Sequence, residues 1–184
     1  MVKTPSTMVE LGTPAPLFSL PDVCTGKQVS LDDFSDQKAL LVMFICNHCP
    51  FVIAIHDVLL ALIREYENKS LGVVAISSND ASQYPMDGPE EMSARAAKYD
   101  YSFPYLYDEK QAVARDFDAA CTPDFFLYDE NRALFYRGQF DASRPGNDIK
   151  VTGCDLRFAI DAALAGDAPP SEQSPSIGCN IKWI

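Results

Sequence analysis

Cys46-Asn47-His48-Cys49-Pro50 is the part of this chain best equipped to do chemistry. Two thiols with two residues between them follow an unbroken apolar run, Ala39–Ile45, and open a long helical pattern. That placement is the working part of a thiol–disulfide exchanger. At the mouth of a helix, Cys46 meets unpaired N–H groups and the positive end of the dipole. Both lower a thiol pKa and make the thiolate the resting nucleophile. Cys49, one turn further in on the same face, is set to attack a mixed disulfide on Cys46 and release the product. His48, when protonated, stabilises the Cys46 thiolate further. Stabilising the thiolate favours the reduced form, so the disulfide should be more oxidising than that of a general reductant.

Other chemistries fit less well. The CxxC alone also suits half of a structural zinc site or two buried cysteines. Zinc would need two more ligands, and Cys121 and Cys179 are candidates, but no second close-spaced pair exists. No metal is expected, and no cofactor, since the glycines form no phosphate loop. Copper chaperoning with a distal histidine is weak because both histidines fall at 48 and 56. His56 and Asp57 are adjacent on the helix and point apart, as ordinary helix residues do. Cys24 and Cys154 read as bystanders. Cys179 packs, on this reading, beside Ile177 and Trp183, with a resolving thiol as the other role.

The elements that must hold the pair are legible. A run without alternation, 39–45, suits a strand covered on both faces. The helix after it runs to about Asn68, with Phe51, Ile55, Leu59, Leu62 and Tyr66 at three- and four-residue steps. Val73–Ile76 is the next buried strand, which completes a βαβ unit with a parallel pair. Pro89-Glu90-Glu91 starts a further helix. Asp108 with Gln111 caps a short one, and 125–128 with 134–136 form a hairpin. Thr152 and Asp155 cap the last helix, and Gly166 stops it. Pro14–Leu20 and Gln28–Leu31 read as an edge piece and a short strand. The tail from Asp167 ends in Ile177–Ile184, apolar enough to dock on the body or on a partner.

A chain of 184 residues fits one domain. A formal net charge of −11 argues against nucleic acid or an anionic membrane as partner. Met1–Gly12 has no apolar h-region, and no run approaches the roughly 18 residues of a membrane span, so the expected address is the cytoplasm. Six cysteines are too sparse and uneven for a secreted disulfide framework. A transient Cys46–Cys49 disulfide is the expected exception among reduced thiols.

βαβ followed by helix, hairpin and helix, with CxxC at the first strand–helix junction, resembles the thioredoxin superfamily. Thr122-Pro123 ahead of a strand is similar to that superfamily's cis-proline loop, which faces the active cysteines. The opening Pro14–Asp33 and the tail resemble the redoxin branch, peroxiredoxin-like proteins with a thioredoxin-type CxxC. The resemblance covers about residues 12–166 and implies an α/β fold with a central mixed β-sheet flanked by helices, an N-terminal strand extension and a C-terminal tail over 167–184. It implies that Thr122 and Pro123 bind substrate, the Thr122 backbone pairing with a substrate strand. It also brings Cys121 near the site, as a third redox thiol or a small core hydrophobe.

The expected activity is thiol–disulfide oxidoreduction, with Cys46 as nucleophile and Cys49 resolving. Protein or small-molecule disulfides would be the substrates, with an unidentified thiol reductant as donor. The alternative is a thiol peroxidase with Cys46 peroxidatic. Here the chain departs from the peroxiredoxin pattern: Met43 and Ala39 stand where a threonine or serine and a proline are usual, and the Cys121–Pro123 loop has no arginine. Arg115, Arg137 or Arg144 would have to substitute. Thioredoxin's tryptophan and buried aspartate are replaced by Ile45 and Leu40. A metal-binding or redox-sensing module is the weaker alternative.

Overall fold

The computed structural model describes residues 3–184. Its strands and helices in chain order begin with β1 (Lys3–Pro5), β2 (Ser19–Pro21), β3 (Gln28–Ser30), β4 (Ala39–Phe44), α1 (Pro50–Glu65) and β5 (Leu71–Ser77). There follow α2 (Pro89–Tyr99), β6 (Tyr105–Tyr107), α3 (Ala112–Asp116), β7 (Cys121–Thr122), β8 (Asp124–Tyr128), β9 (Leu134–Gly138), α4 (Cys154–Ala165) and β10 (Ile177–Asn180).

Five strands form the central sheet in the order β6-β5-β4-β8-β9. β4 runs parallel to β5, and β5 to β6, whereas β8 lies antiparallel to β4 and β9. The sheet is therefore mixed and flanked by helices, as the sequence leads one to expect. The absence of alternation in β4 has a direct cause: both of its faces are covered. Ala39, Leu41, Met43 and Ile45 share a core with α1, α2 and α4, while Leu40, Val42 and Phe44 share the opposite one with Phe18, Phe34, Val113 and Phe117. Burial of this kind stabilises by roughly 25 cal/mol for each Å² of apolar surface, and it leaves the carboxyl end of β4 fixed where the CxxC begins.

Three details differ from the sequence-based reading. α1 ends at Glu65, short of Asn68, because Tyr66 leaves helical geometry and the chain turns through the left-handed Asn68. Only Ser19 and Leu20 of the proposed edge piece lie in a strand, β2, with Pro14 making an isolated bridge to Ala133. Thr152 is not at the N-cap position of α4, although its hydroxyl accepts the Cys154 N–H at 3.3 Å. The N-cap is the left-handed Gly153, and the Asp141 carboxylate accepts the Thr152 and Gly153 N–H groups, each at 2.6 Å. Gly166 does end α4 in the left-handed conformation.

The apolar tail is docked. β10 sits between β1 and β7 in a second, three-stranded sheet, with Cys179 opposite Thr122 and Asn180 opposite Cys121. Among the described residues no helix is long and apolar enough to cross a membrane.

Candidate active site

Cys46 and Cys49 lie where β4 gives way to α1. Ile45 still donates to the Ile76 carbonyl at 3.0 Å, after which the chain leaves the sheet. Pro50 occupies the first helical turn, where its missing N–H costs nothing. Cys49 is therefore the N-cap, and Cys46 stands in the loop ahead of it. The sequence reading put Cys46 at the helix mouth. In the structure the positive end of α1 serves Cys49 instead, through the Val52 N–H.

Both sulfurs are enclosed, Cys46 being 2% and Cys49 0% exposed. Opposite them stands the cis Thr122-Pro123 bond. The Thr122 hydroxyl is 3.4 Å from the Cys46 sulfur, and the Cys49 thiol donates to the Thr122 carbonyl at 3.1 Å. A further sulfur completes the group: Cys179, 2.8 Å from Cys49. Cys179 thus joins the pair, through β10, rather than packing beside Ile177 and Trp183 at a distance from it. Cys121 turns its sulfur to the Pro123 carbonyl, 3.6 Å away, and burial pushes its thiol well above the ordinary range.

The loop between the cysteines is tied down by a carboxylate that the sequence did not single out. Asp87, fully buried, accepts from the Asn47 N–H (2.8 Å) and the His48 N–H (3.3 Å) on one oxygen. Its other oxygen takes Asn79 Nδ2 (2.8 Å) and faces His48 Nδ1 at 2.6 Å. The His48 ring stacks on Tyr84, with centroids 5.2 Å apart. Arg95 donates to the Asn47 carbonyl at 3.3 Å, and Tyr105 to the Asn47 side-chain oxygen at 3.3 Å. Asp87 lies 39 positions beyond His48, between Met86 and Gly88, so no local spacing announces it. Ligand atoms of Cys46, His48 and Asp87 lie within 4.8 Å of one another, which could hold a metal ion. The carboxylate oxygens are already engaged by hydrogen bonds, so the same atoms serve equally as a hydrogen-bonded brace for the loop.

The ionisation belongs to the pair rather than to one cysteine. The Cys46 thiol, hydrogen-bonded to Cys49, holds the Cys49 thiol down to about 5 against the opposing effect of burial, helped by Cys179, Thr122 and Val52. The same bond to Cys49, then burial and the Asp87 charge, pushes Cys46 well up. One proton leaves easily and the second with difficulty. The expected result is an ultraviolet thiolate absorbance that rises by one equivalent with a midpoint near pH 5, not the ~8.5 of a free thiol. It should fall away below that midpoint and be absent from Cys49→Ser. A midpoint at 8 or above would refute the shared ionisation.

The substrate edge expected at Thr122 is already filled. β10 pairs with β7 there, and the Ser176 hydroxyl donates to the Pro123 carbonyl at 2.7 Å. A foreign strand cannot use the Thr122 backbone while the tail is in place. Of the arginines considered as peroxide-binding substitutes, Arg137 is spent on Asp124 (3.4 Å) and the Asp118 carbonyl (2.6 Å). Arg115 lies over the Trp183 ring. Arg144 shares a small cavity with Pro123, Phe51 and Phe140.

Residues 10–152 match the family model described as Redoxin. A hypothetical protein of Sinorhizobium meliloti 1021 is 51% identical, with a TM-score of 0.96 and 98% of each chain covered. A conserved protein of Geobacillus kaustophilus is 50% identical, with a TM-score of 0.97, covering 100% of this chain and 97% of that one. A thiol:disulfide interchange protein of the thioredoxin family from Chlorobium tepidum TLS shares the fold at 16% identity and a TM-score of 0.65, covering 86% of this chain and 99% of that one. No curated protein matches the sequence.

Proposed function

Since the chain belongs to the redoxin family of the thioredoxin superfamily, we propose that its redox chemistry is thiol–disulfide exchange through Cys46 and Cys49. The observation that carries this reading is the placement of both thiols at the β4–α1 junction against the cis Thr122-Pro123 bond, with the Thr122 hydroxyl 3.4 Å from the Cys46 sulfur and its carbonyl 3.1 Å from the Cys49 sulfur. Cys46 is the attacker. Its sulfur faces the Thr122 hydroxyl, which can donate to a thiolate, and it stands in the loop ahead of the helix, whereas Cys49 lies at the N-cap enclosed by Val52, Cys179 and the Thr122 carbonyl. When the shared proton moves across to Cys49, Cys46 becomes the nucleophile with no proton drawn from solvent. Cys46 attacks the substrate disulfide, one substrate sulfur leaves as a thiol, and Cys49 then displaces the other to close the Cys46–Cys49 disulfide. An external thiol reductant reopens it.

Because β10 occupies the Thr122 edge, the substrate class that fits is a low-molecular-weight disulfide, or a protein disulfide presented without an extended strand. His48 acts by position. With its ring fixed between Asp87 and Tyr84, it orients the loop that carries both sulfurs.

One observation favours a second reading, peroxide reduction at Cys46. The Thr122 hydroxyl, 3.4 Å from that sulfur, supplies a donor that Met43 cannot. The two are separated by treating the protein with oxidised glutathione or with hydrogen peroxide, then mapping every cysteine by mass spectrometry. Exchange predicts that glutathione disulfide oxidises the CxxC thiols faster than peroxide at equal concentration. Saturable peroxide consumption with sulfinic acid at Cys46 would instead select the peroxidase. A CxxC that stays reduced under both treatments would remove the enzyme altogether.

A further inference from the structure

We propose that Cys179 is a third member of the exchange centre, a resident thiol that takes the disulfide from Cys46–Cys49 and holds it as Cys49–Cys179. The proposal rests on the exchange reading above and adds a step to it.

The geometry comes from the tail. β10 lies antiparallel to β7 with Cys179 directly opposite Thr122, the position in which a substrate strand would present its own cysteine. The Cys179 and Cys49 sulfurs are 2.8 Å apart, approaching the ~2.0 Å of a formed disulfide. Gly178 makes this approach possible. A Cβ there would meet the Thr122 carbonyl oxygen at 2.0 Å and the Pro123 nitrogen at 3.1 Å, so any larger residue would lift the strand and carry Cys179 away.

The tail is also pinned on both sides of the cysteine. Ser176 bonds the Pro123 carbonyl, and Ile181 is buried in the core beneath β4 and β8. Lys182 donates its N–H to Asn79 (2.8 Å), and its carbonyl accepts from Asp80 N–H (2.9 Å) and Gln111 Nε2 (2.8 Å). Cys179 is 2% exposed. A packing cysteine needs only an apolar pocket, whereas this one is aimed at the sulfur that closes the catalytic disulfide.

The step balances. The Cys179 sulfur attacks the Cys49 sulfur of the oxidised pair as its proton is given up. A Cys49–Cys179 bond forms as Cys46–Cys49 breaks, the electron pair leaves on the Cys46 sulfur, and the proton lost by Cys179 ends there. One disulfide and one thiol enter and leave, with no outside oxidant or reductant. Burial is the largest of the effects that raise the Cys179 thiol, so the transfer proceeds with proton hand-over to Cys46 rather than from a standing thiolate. Its outcome is a free Cys46, available for a further encounter while the oxidising equivalent is stored beneath it.

The test is a time course of the full-length protein with oxidised glutathione, acid-quenched, alkylated and mapped for linked peptides. The 46–49 linkage should appear first, and the 49–179 linkage should follow at its expense. At plateau the wild-type 46–49 yield should lie roughly twofold or more below that of Cys179→Ser, as expected when two near-isoenergetic linkages share the population. Equal 46–49 yields, with Cys179 fully alkylated throughout, would overturn the third thiol and leave the exchange pair intact. Absence of both linkages in the wild-type protein would overturn the pair and the third thiol together. The wild-type arm stands whether or not the variant folds.

Discussion

Replacing Cys46 by serine should lower the rate of disulfide exchange on the order of a thousandfold or more, with the fold unchanged by circular dichroism. The hydroxyl that replaces the thiol has no accessible anion near neutral pH and attacks disulfide sulfur poorly, so the first step is lost outright. Cys49→Ser should behave differently. The first attack survives more slowly, because the Cys46 sulfur keeps its Thr122 hydroxyl partner but must lose its proton to solvent, and the product cannot be released and accumulates as a mixed disulfide on Cys46. Mass spectrometry of the intact variants after incubation with oxidised glutathione reads both results. Glutathione on Cys49 of Cys46→Ser at the wild-type rate would reverse the roles of the two cysteines. An unchanged turnover in Cys46→Ser would end the exchange reading.

What makes the pair reactive reached the sequence unevenly. The CxxC, the buried strand before it and the long helix after it are all local. An apolar run without alternation and a three-to-four-residue stripe each have one physical cause, and the strand and helix they indicate are both present. The hairpin of β8 and β9 and the stop at Gly166 were legible for the same reason.

What failed to show were the partners brought from far along the chain. Asp87 braces His48 from a short 3₁₀ turn, Pro85–Asp87, whose residues look like any polar connection. Arg137 reads only as a substitute for a peroxide-binding arginine, yet it is fully buried because Asp124, Ser6 and the Asp118 carbonyl converge on it. The tail gave its own partial signal. Its apolar ending predicts docking, and only the pairing register decides that Cys179, not Cys121, meets the active sulfurs. Register is a property of two strands together, so one strand's sequence cannot state it. The helix start illustrates the limit at short range. Moving the cap by the three residues from Cys46 to Cys49 changes which sulfur the dipole serves, and boundaries are the least determined part of a periodic pattern.

The same long-range convergence sets the largest expected effect on stability. Asp124 and Arg137 are both fully buried, 3.4 Å apart, at the start of β8 and within β9. Burial outweighs the Arg137 charge and pushes the Asp124 carboxyl up, so the pair is costly to assemble and holds through its other bonds. Asp124 accepts from the Ser6 hydroxyl at 2.7 Å and from the Ala120 N–H at 3.2 Å, which ties β1 and the approach to β7 to the central sheet. The Arg137 guanidinium lies 4.3 Å from the centre of the Phe126 ring, and the side chain is closed off from solvent. Asp124→Ala should therefore cost about 3–5 kcal/mol, the penalty of an uncompensated buried charge. In a chain of this size that corresponds to a fall of roughly 10 °C in melting temperature. Asp124→Leu combined with Arg137→Met removes both charges and should recover part of the loss, because a well-packed apolar pair needs no counter-ion. Calorimetry of the single and double variants decides the point. A double variant less stable than Asp124→Ala alone would mean that the hydrogen bonds to Ser6 and the Asp118 carbonyl, not the charge balance, hold this end of the molecule together.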